Sequence, residues 1–391
     1  MYKVMVSIMD KLIYVDHSAT TYTKKEVLEK MLPYFDKEYG NCSSSYKLGT
    51  NAKKALDDSR RKVANSINAN PDEIYFTSGG SESDNMIIQG IARANKHKGN
   101  HIITSKIEHH AVLETCKALE KEGFEVSYIS PDENGVITPE SVRKEIKDTT
   151  ILVSIMYANN EIGTIEPIRD IANITKFKGI YFHTDAVQAI GNVKVDVKAL
   201  GIDALSLSSH KFYGPKGVGA VYIKKNVNYI PLIYGGSQES KKRAGTENLP
   251  GIVGMAEAIE IANNNLMEYS QKLINLRDYV INRVLNEIPD VVLNGDTQNR
   301  LPGNVNFSFK NIDSKSLVLL LDINGIQASS GSACSSGDIK PSHVLSAINQ
   351  DKEYIYGTVR ITFGEENTKE DAKYIVDTLK DILFKLRSKN P

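Results

Sequence analysis

From Asp72 onward the chain alternates between short apolar runs and amphipathic stretches of helical period. The runs at 74–77, 101–104, 125–129, 151–155, 180–184, 204–207 and 218–223 are strand candidates. The stretches at 82–96, 111–121, 139–146 and 167–177 are helix candidates. This alternation predicts an α/β fold with a mostly parallel seven-stranded sheet sandwiched by helices. The run at 218–223 follows its predecessor too closely for a crossover, so it is expected to be antiparallel. Ligands of such a sheet bind at the carboxyl ends of its strands.

The remainder reads differently. A single long helical segment is expected over 253–285, bridging to a mixed pattern with strands at 291–293, 304–309 and 359–363 and helices at 316–322 and 369–386. The expected division is a large domain, 15–260, and a smaller α+β domain made of 1–14 with 261–391. With 391 residues, 41% of them hydrophobic, the chain can bury two cores. Lys+Arg and Asp+Glu both number 48, so no strong field suits DNA or a membrane surface. No apolar run approaches the roughly 18 residues of a membrane span. The first eight residues, soon followed by Asp10, do not read as a signal peptide. Three scattered cysteines, Cys42, Cys116 and Cys334, suggest a reducing compartment, and a cytoplasmic protein is expected. No metal-ligand spacing stands out.

The chemistry-bearing residues cluster at the predicted strand ends. Lys211 lies in Ser208-Ser209-His210-Lys211, just after a buried strand, where a solvated charge is poorly placed. Asp185 ends the neighbouring candidate. An amine that can form a Schiff base and an acid that keeps a pyridine nitrogen protonated are what pyridoxal 5'-phosphate requires of a protein. Gly79-Gly80-Ser81 forms a glycine turn into a helix and suits an anion; the ordinary alternative is an N-cap, with Ser81 and Asp84 as a capping-box-like pair. Ser208 and His210 add donors. In Glu108-His109-His110 an imidazole could stack on a flat ring, or both histidines could lie on the surface; the motif does not say which is used. Asn160 and Gln188 could donate to a ring hydroxyl or a carboxylate, or could serve turns and caps. Arg243 to Asn248, containing Thr246, reads by itself as a solvated turn. Arg360, flanked by β-branched residues, needs an anion if buried and would clamp a substrate carboxylate; otherwise it is an edge arginine facing water. Cys334 stands among small residues, Ser329 to Gly337, which suits a nucleophile on a loop rather than a structural thiol.

Taken together, Tyr157 to Gly163, His183 to Gln188, Ser208 to Gly217, Arg243 to Asn248 and Ser329 to Cys334 resemble the cysteine desulfurases, the NifS/IscS-like group of class-V aminotransferases with the fold of type-I pyridoxal phosphate enzymes. The likeness runs from Tyr14-Val15-Asp16 to Arg360. It implies that Lys211 carries the cofactor aldehyde, Asp185 pairs with the pyridine nitrogen and Gln188 meets the phenolic oxygen. His109 would stack on the ring and act in acid–base steps. Gly80, Ser81, Ser208 and His210 would hold the phosphate, joined by Thr246 of a neighbouring subunit in a homodimer. Asn160 and Arg360 would bind the substrate, L-cysteine. Cys334 would take its sulfur as a persulfide and pass it to an acceptor protein, such as an iron–sulfur scaffold or a tRNA-thiolation enzyme.

The chain has His17-Ser18-Ala19 where the family usually has Asn-Ala-Ala, Cys42 where it has Pro, and Gly80-Ser81 where it has Ala-Thr. His17 and Cys42 are expected near the substrate entrance. A selenocysteine lyase or a cysteine sulfinate desulfinase would share the cofactor residues, but neither reaction requires a protein thiol. An aminotransferase gives a loop thiol no work. A non-catalytic sulfur-assembly scaffold would not need Lys211, Asp185 and Cys334 together.

Overall fold

All seven apolar runs are strands of one sheet, with boundaries within a residue of those expected. In the computed structural model, which describes residues 12–330, 341–348 and 351–389, the order across the sheet is Ile74–Thr77, Gly219–Ile223, Ala204–Ser208, Tyr181–Asp185, Thr150–Ser154, His101–Ser105 and Glu125–Ile129. Gly219–Ile223 runs antiparallel to both neighbours, and the other pairings are parallel. The central strands are buried at every position, whereas the edge strand Glu125–Ile129 is open at its start. Helices on both faces explain why these strands read as continuous apolar runs.

Successive residues feed opposite faces, as the pleat requires. Ile103, Val153 and Leu205 pack on one side; Ile102, Leu152 and Ala204 pack on the other. The second layer includes Gly80–Asn95 and His110–Lys121, through Ile87, Ile91, Val112 and Leu119. The first includes two helices that pack together, Lys47–Ser66 and Leu249–Asn264. Lys47–Ser66 escaped the sequence reading because its buried stripe, Gly49, Ala52, Leu56, Ser59 and Val63, is built mostly of small residues.

A separate cluster holds Val305, Phe307, Phe309, Val359 and Ile361 with Leu317, Leu321 and Val376. Its three-stranded antiparallel sheet runs Thr358–Thr362, Asn304–Phe309, Val291–Leu293. Ile13 and Val15 join this cluster, and Ile13–Tyr14 pairs in parallel with Ile326–Gln327. The expected single helix over 253–285 is instead two, Leu249–Asn264 and Leu266–Glu287. Asn265 breaks them: its backbone (φ −104°, ψ 5°) leaves the helical region, and its amide Nδ2 donates to the Ile261 carbonyl at 2.9 Å. An Asn side chain competing for a backbone acceptor stops the first helix, and the second turns its apolar face to the other core.

Candidate active site

Strand ends converge on a cavity of about 470 Å³ whose lining includes Gly80, Ser81, His109, Asn160, Asp185, Gln188, Ser208, His210, Lys211 and Arg360. Thus ten of the residues singled out in the sequence meet in one place. Thr246 is exposed and does not line this cavity. Cys334 lies outside the described residues; Ser329 lines the cavity, and its backbone pairs with that of Arg360.

Lys211 sits in a short 3₁₀ turn, Ser209–Lys211, at the end of the strand Ala204–Ser208. Its Nζ donates to the carbonyls of Ser18 (2.5 Å) and Ala19 (2.8 Å). Burial pushes the amine down from 10.5 to about 8, helped by the Arg360 charge and opposed by Asp185 and Asp16. Asp185 is buried at its strand end; its Oδ1 accepts from the Val187 N–H at 2.9 Å. Burial raises this carboxyl, while His109, the Val187 N–H and Lys211 pull it back.

His109 caps the helix His110–Lys121, its Nδ1 accepting from the Ala111 N–H at 3.1 Å. That bond places the proton of the neutral ring on Nε2. Burial lowers its pKa against the pull of Asp185. His110 turns away from this role and packs on His343, ring centroids 4.7 Å apart. His210 is held neutral, pushed to about 4 by burial and by Lys211 and Lys216; its Nδ1 lies 3.0 Å from Thr20 Oγ1. Gln188 donates through Nε2 to the same Ser18 carbonyl as Lys211, at 3.1 Å.

The helix Gly80–Asn95 begins at the cavity with Gly79, at φ 150°, and has no side-chain cap. Its first N–H groups therefore lack intrahelical partners. A Cβ on Gly80 would come within 2.9 Å of Val187 Cγ2, so Val187 already occupies the room a side chain would need. The capping-box-like reading of Ser81 with Asp84 fails. Asp84 is buried, lines the cavity and lies close to Ser206 and Asp185. Its Oδ1 has no hydrogen-bond partner, and burial with the Asp185 charge raises it well above the carboxylate range. Burial thus favours the protonated form of Asp84, whereas of the two carboxyls only Asp185 is pulled back down by His109 and Lys211. Glu82 instead takes the Ser78 N–H and pairs with Arg243, at 2.8 Å each. That contact ties down the loop expected to be a solvated turn.

Arg360 is 4% exposed. Its Nη1 donates to the Asn160 carbonyl at 3.0 Å and its Nη2 to Asp16 Oδ1 at 2.7 Å. The anion a buried guanidinium requires is thus supplied from within. In the sequence Asp16 stands out only within Tyr14-Val15-Asp16, and nothing local marks it as a partner 344 positions away. His17 and Cys42 do not line the cavity. His17 is buried, Nδ1 against the Thr362 carbonyl (2.8 Å) and Nε2 against Glu366 (2.9 Å). Burial raises the Cys42 thiol to about 11, and Cys116 is also buried and raised, so neither is a ready nucleophile.

The arrangement offers a near-neutral amine, a buried acid, an anion cradle at a helix start and a guanidinium, all on one cavity. Residues 13–375 match the aminotransferase class-V family. The chain is 55% identical over 385 residues to the cysteine desulfurase IscS of Clostridium botulinum (strain Hall), covering 98% of this chain and 97% of that protein. It is 53% identical over 386 residues to the cysteine desulfurase IscS of Methanosarcina thermophila, covering 99% and 95%. Among solved structures, a NifS-like protein superposes with a TM-score of 0.90 at 39% identity, covering 95% of this chain and 99% of that one. A NifS-like protein from Rickettsia africae gives 0.86 at 29%, covering 95% and 99%.

Proposed function

This chain belongs to the class-V aminotransferase family and is a cysteine desulfurase, and from that premise we propose that it converts L-cysteine to L-alanine using pyridoxal phosphate held in the 470 Å³ cavity. The observation that carries this reading is the meeting of Lys211, its amine lowered to about 8, with the buried Asp185 and Arg360 around one space. The residues suit the group. Lys211 would hold its aldehyde carbon, Asp185 its pyridine nitrogen, and His109 would cover its face. Gly80, Ser81, Ser208 and His210 would hold the phosphate at the helix start, where the bare Gly80 lets backbone approach an anion. Gln188 has a second amide proton for the phenolic oxygen. When bound, the group supplies an electron-withdrawing ring that stabilises charge at the substrate Cα.

Arg360 orients the substrate through its carboxylate, with Asn160 beside it. Lys211 removes the Cα proton, and an amine near pKa 8 can both take and return a proton at neutral pH. Cys334 attacks the cysteine sulfur as a thiolate; the S–S bond forms, the Cβ–S bond breaks with its electron pair left on Cβ, and a proton delivered to Cβ together with return of the Cα proton by Lys211 completes alanine. The Cys334 persulfide then passes sulfur to an acceptor, an iron–sulfur scaffold or a tRNA-thiolation enzyme.

A homodimer is part of this reading. Leu28, Leu32, Phe35, Tyr39 and Tyr46 are exposed within one stretch of sequence, and a second copy covering them would take that apolar surface out of water. Thr246, exposed and away from its own cavity, is free to complete the phosphate site of the second copy. The division into 15–260 and 1–14 with 261–391 draws support from the separate apolar cluster of Val305, Phe307 and Val359 that Ile13 joins; Val15 joins it as well, while Leu301, Val344, Leu345 and Ile348 pack with the larger core. No helix among the described residues is long and apolar enough to cross a membrane, and a cytoplasmic location fits the scattered free thiols.

Incubation with L-cysteine, with alanine quantified and persulfide mapped by mass spectrometry, tests the reading. Alanine should form and the persulfide should sit on the Cys334 peptide. Cys334→Ser should keep the cofactor's visible absorbance and lose the persulfide. Sulfide release at the normal rate by that variant, without added thiol, would refute the role of Cys334.

A further inference from the structure

Arg360 is a cation already satisfied by an acid that faces the substrate space. Its guanidinium is buried, yet Nε has no partner. The Asp16 carboxylate at 2.7 Å supplies the countercharge; its side chain is 20% exposed and lines the same cavity as Lys211 and Arg360. The Asp16 backbone is fixed. It bridges to Thr362, and its carbonyl accepts from Tyr14 Oη and from the Ala19 N–H, each at 2.9 Å. The side chain alone is left to move.

We propose that Asp16 is an internal placeholder for the substrate carboxylate, neutralising Arg360 between turnovers and yielding that guanidinium when an amino acid enters. The proposal rests on Arg360 being the carboxylate site. A buried arginine without an anion is costly, so an enzyme whose site stands empty part of the time gains from an internal counterion. The same ion pair must be broken or shared before a second carboxylate can use Nη2, and the two acids repel. Asp16 therefore weakens the hold on every carboxylate, product as well as substrate. The effect reaches the amine too, because Asp16 pulls the Lys211 pKa up while Arg360 pushes it down.

The test is Asp16→Asn in the cofactor-loaded enzyme, with Asp16→Ser as a second acid-free variant and Asp16→Glu as the variant that keeps the acid. Propionate, titrated by calorimetry, is the probe, and propionamide is its uncharged control. Both acid-free variants should bind propionate about tenfold more tightly, which is about 1.4 kcal/mol, with propionamide unaffected. KM for L-cysteine should fall without a rise in kcat, and in the cofactor-free protein the Lys211 amine should titrate at lower pH. Asp16→Glu should resemble the parent. If Asp16 merely orients Arg360, the acid-free variants bind propionate equally or more weakly, and the placeholder is overturned. Arg360→Gln separates the two ideas. It should abolish the preference for propionate over propionamide in either background; if the preference survives, the carboxylate reading itself fails, whatever Asp16 does.

Discussion

Replacing Lys211 by Met should make the cofactor-free protein more stable at neutral pH and less stable in alkali. The charged amine is disfavoured in its pocket, falling from 10.5 to about 8 through burial and the Arg360 charge. That difference is worth roughly 3 kcal/mol against the protonated form. The sign follows from proton counting. Between pH 8 and 10.5 the unfolded chain still carries the proton and the folded one has shed it, so stability rises with pH across that window. Below 8 the full penalty applies. Met removes the penalty but also forfeits the bonds to the Ser18 and Ala19 carbonyls, about 1 kcal/mol each. The variant should therefore gain about 1 kcal/mol at neutral pH and lose about 2 kcal/mol above the window, with the two stability curves crossing inside it. Urea unfolding of both proteins across this range measures the difference, in which titrating groups remote from Lys211 cancel. Parallel curves would refute the reasoning, because a solvated Lys211 would have no such dependence and no fitness as a base near neutrality.

Two other changes follow from contacts in the cavity wall. Gly80→Ala drives a Cβ to 2.9 Å from Val187 and should cost about 1–3 kcal/mol; adding Val187→Ala should restore the thermal midpoint, and a failure to do so would show that the pair is not the cause. Asp185→Asn keeps the shape but removes the charge facing the cavity. Loss of one partner of a buried charge pair costs about 3–5 kcal/mol; if that loss falls on the transition state, kcat/KM for L-cysteine should drop by about two to nearly four orders of magnitude in steady-state alanine assays.

Much of the large sheet could be read in advance because strands covered on both faces are apolar at every position. The antiparallel run Gly219–Ile223 betrayed itself by its short link. Other features were hidden for identifiable reasons. Lys47–Ser66 buries glycine, alanine and serine, which carry little hydropathic signal. Asp84 looked like a cap because a short acid near a helix start usually is one, and only the packing of the Gly80–Asn95 helix onto the sheet buries it. The break at Asn265 reflects two cores pulling one helical stretch in different directions.

The chain's own residues, read in order, were enough to establish the alternation, the strand ends, and the chemical types standing there: an amine, an acid, imidazoles, a guanidinium. Each of these is local, resting on spacing within one element and on what that residue can do. Which groups face one another was decided by tertiary structure. Lys211 meets the carbonyls of Ser18 and Ala19, Asp84 is buried beside Asp185, and Asp16 reaches Arg360 across 344 positions. Electrostatic pairing depends on distance and on exclusion of water, and neither exists for a residue until the two cores have closed around it.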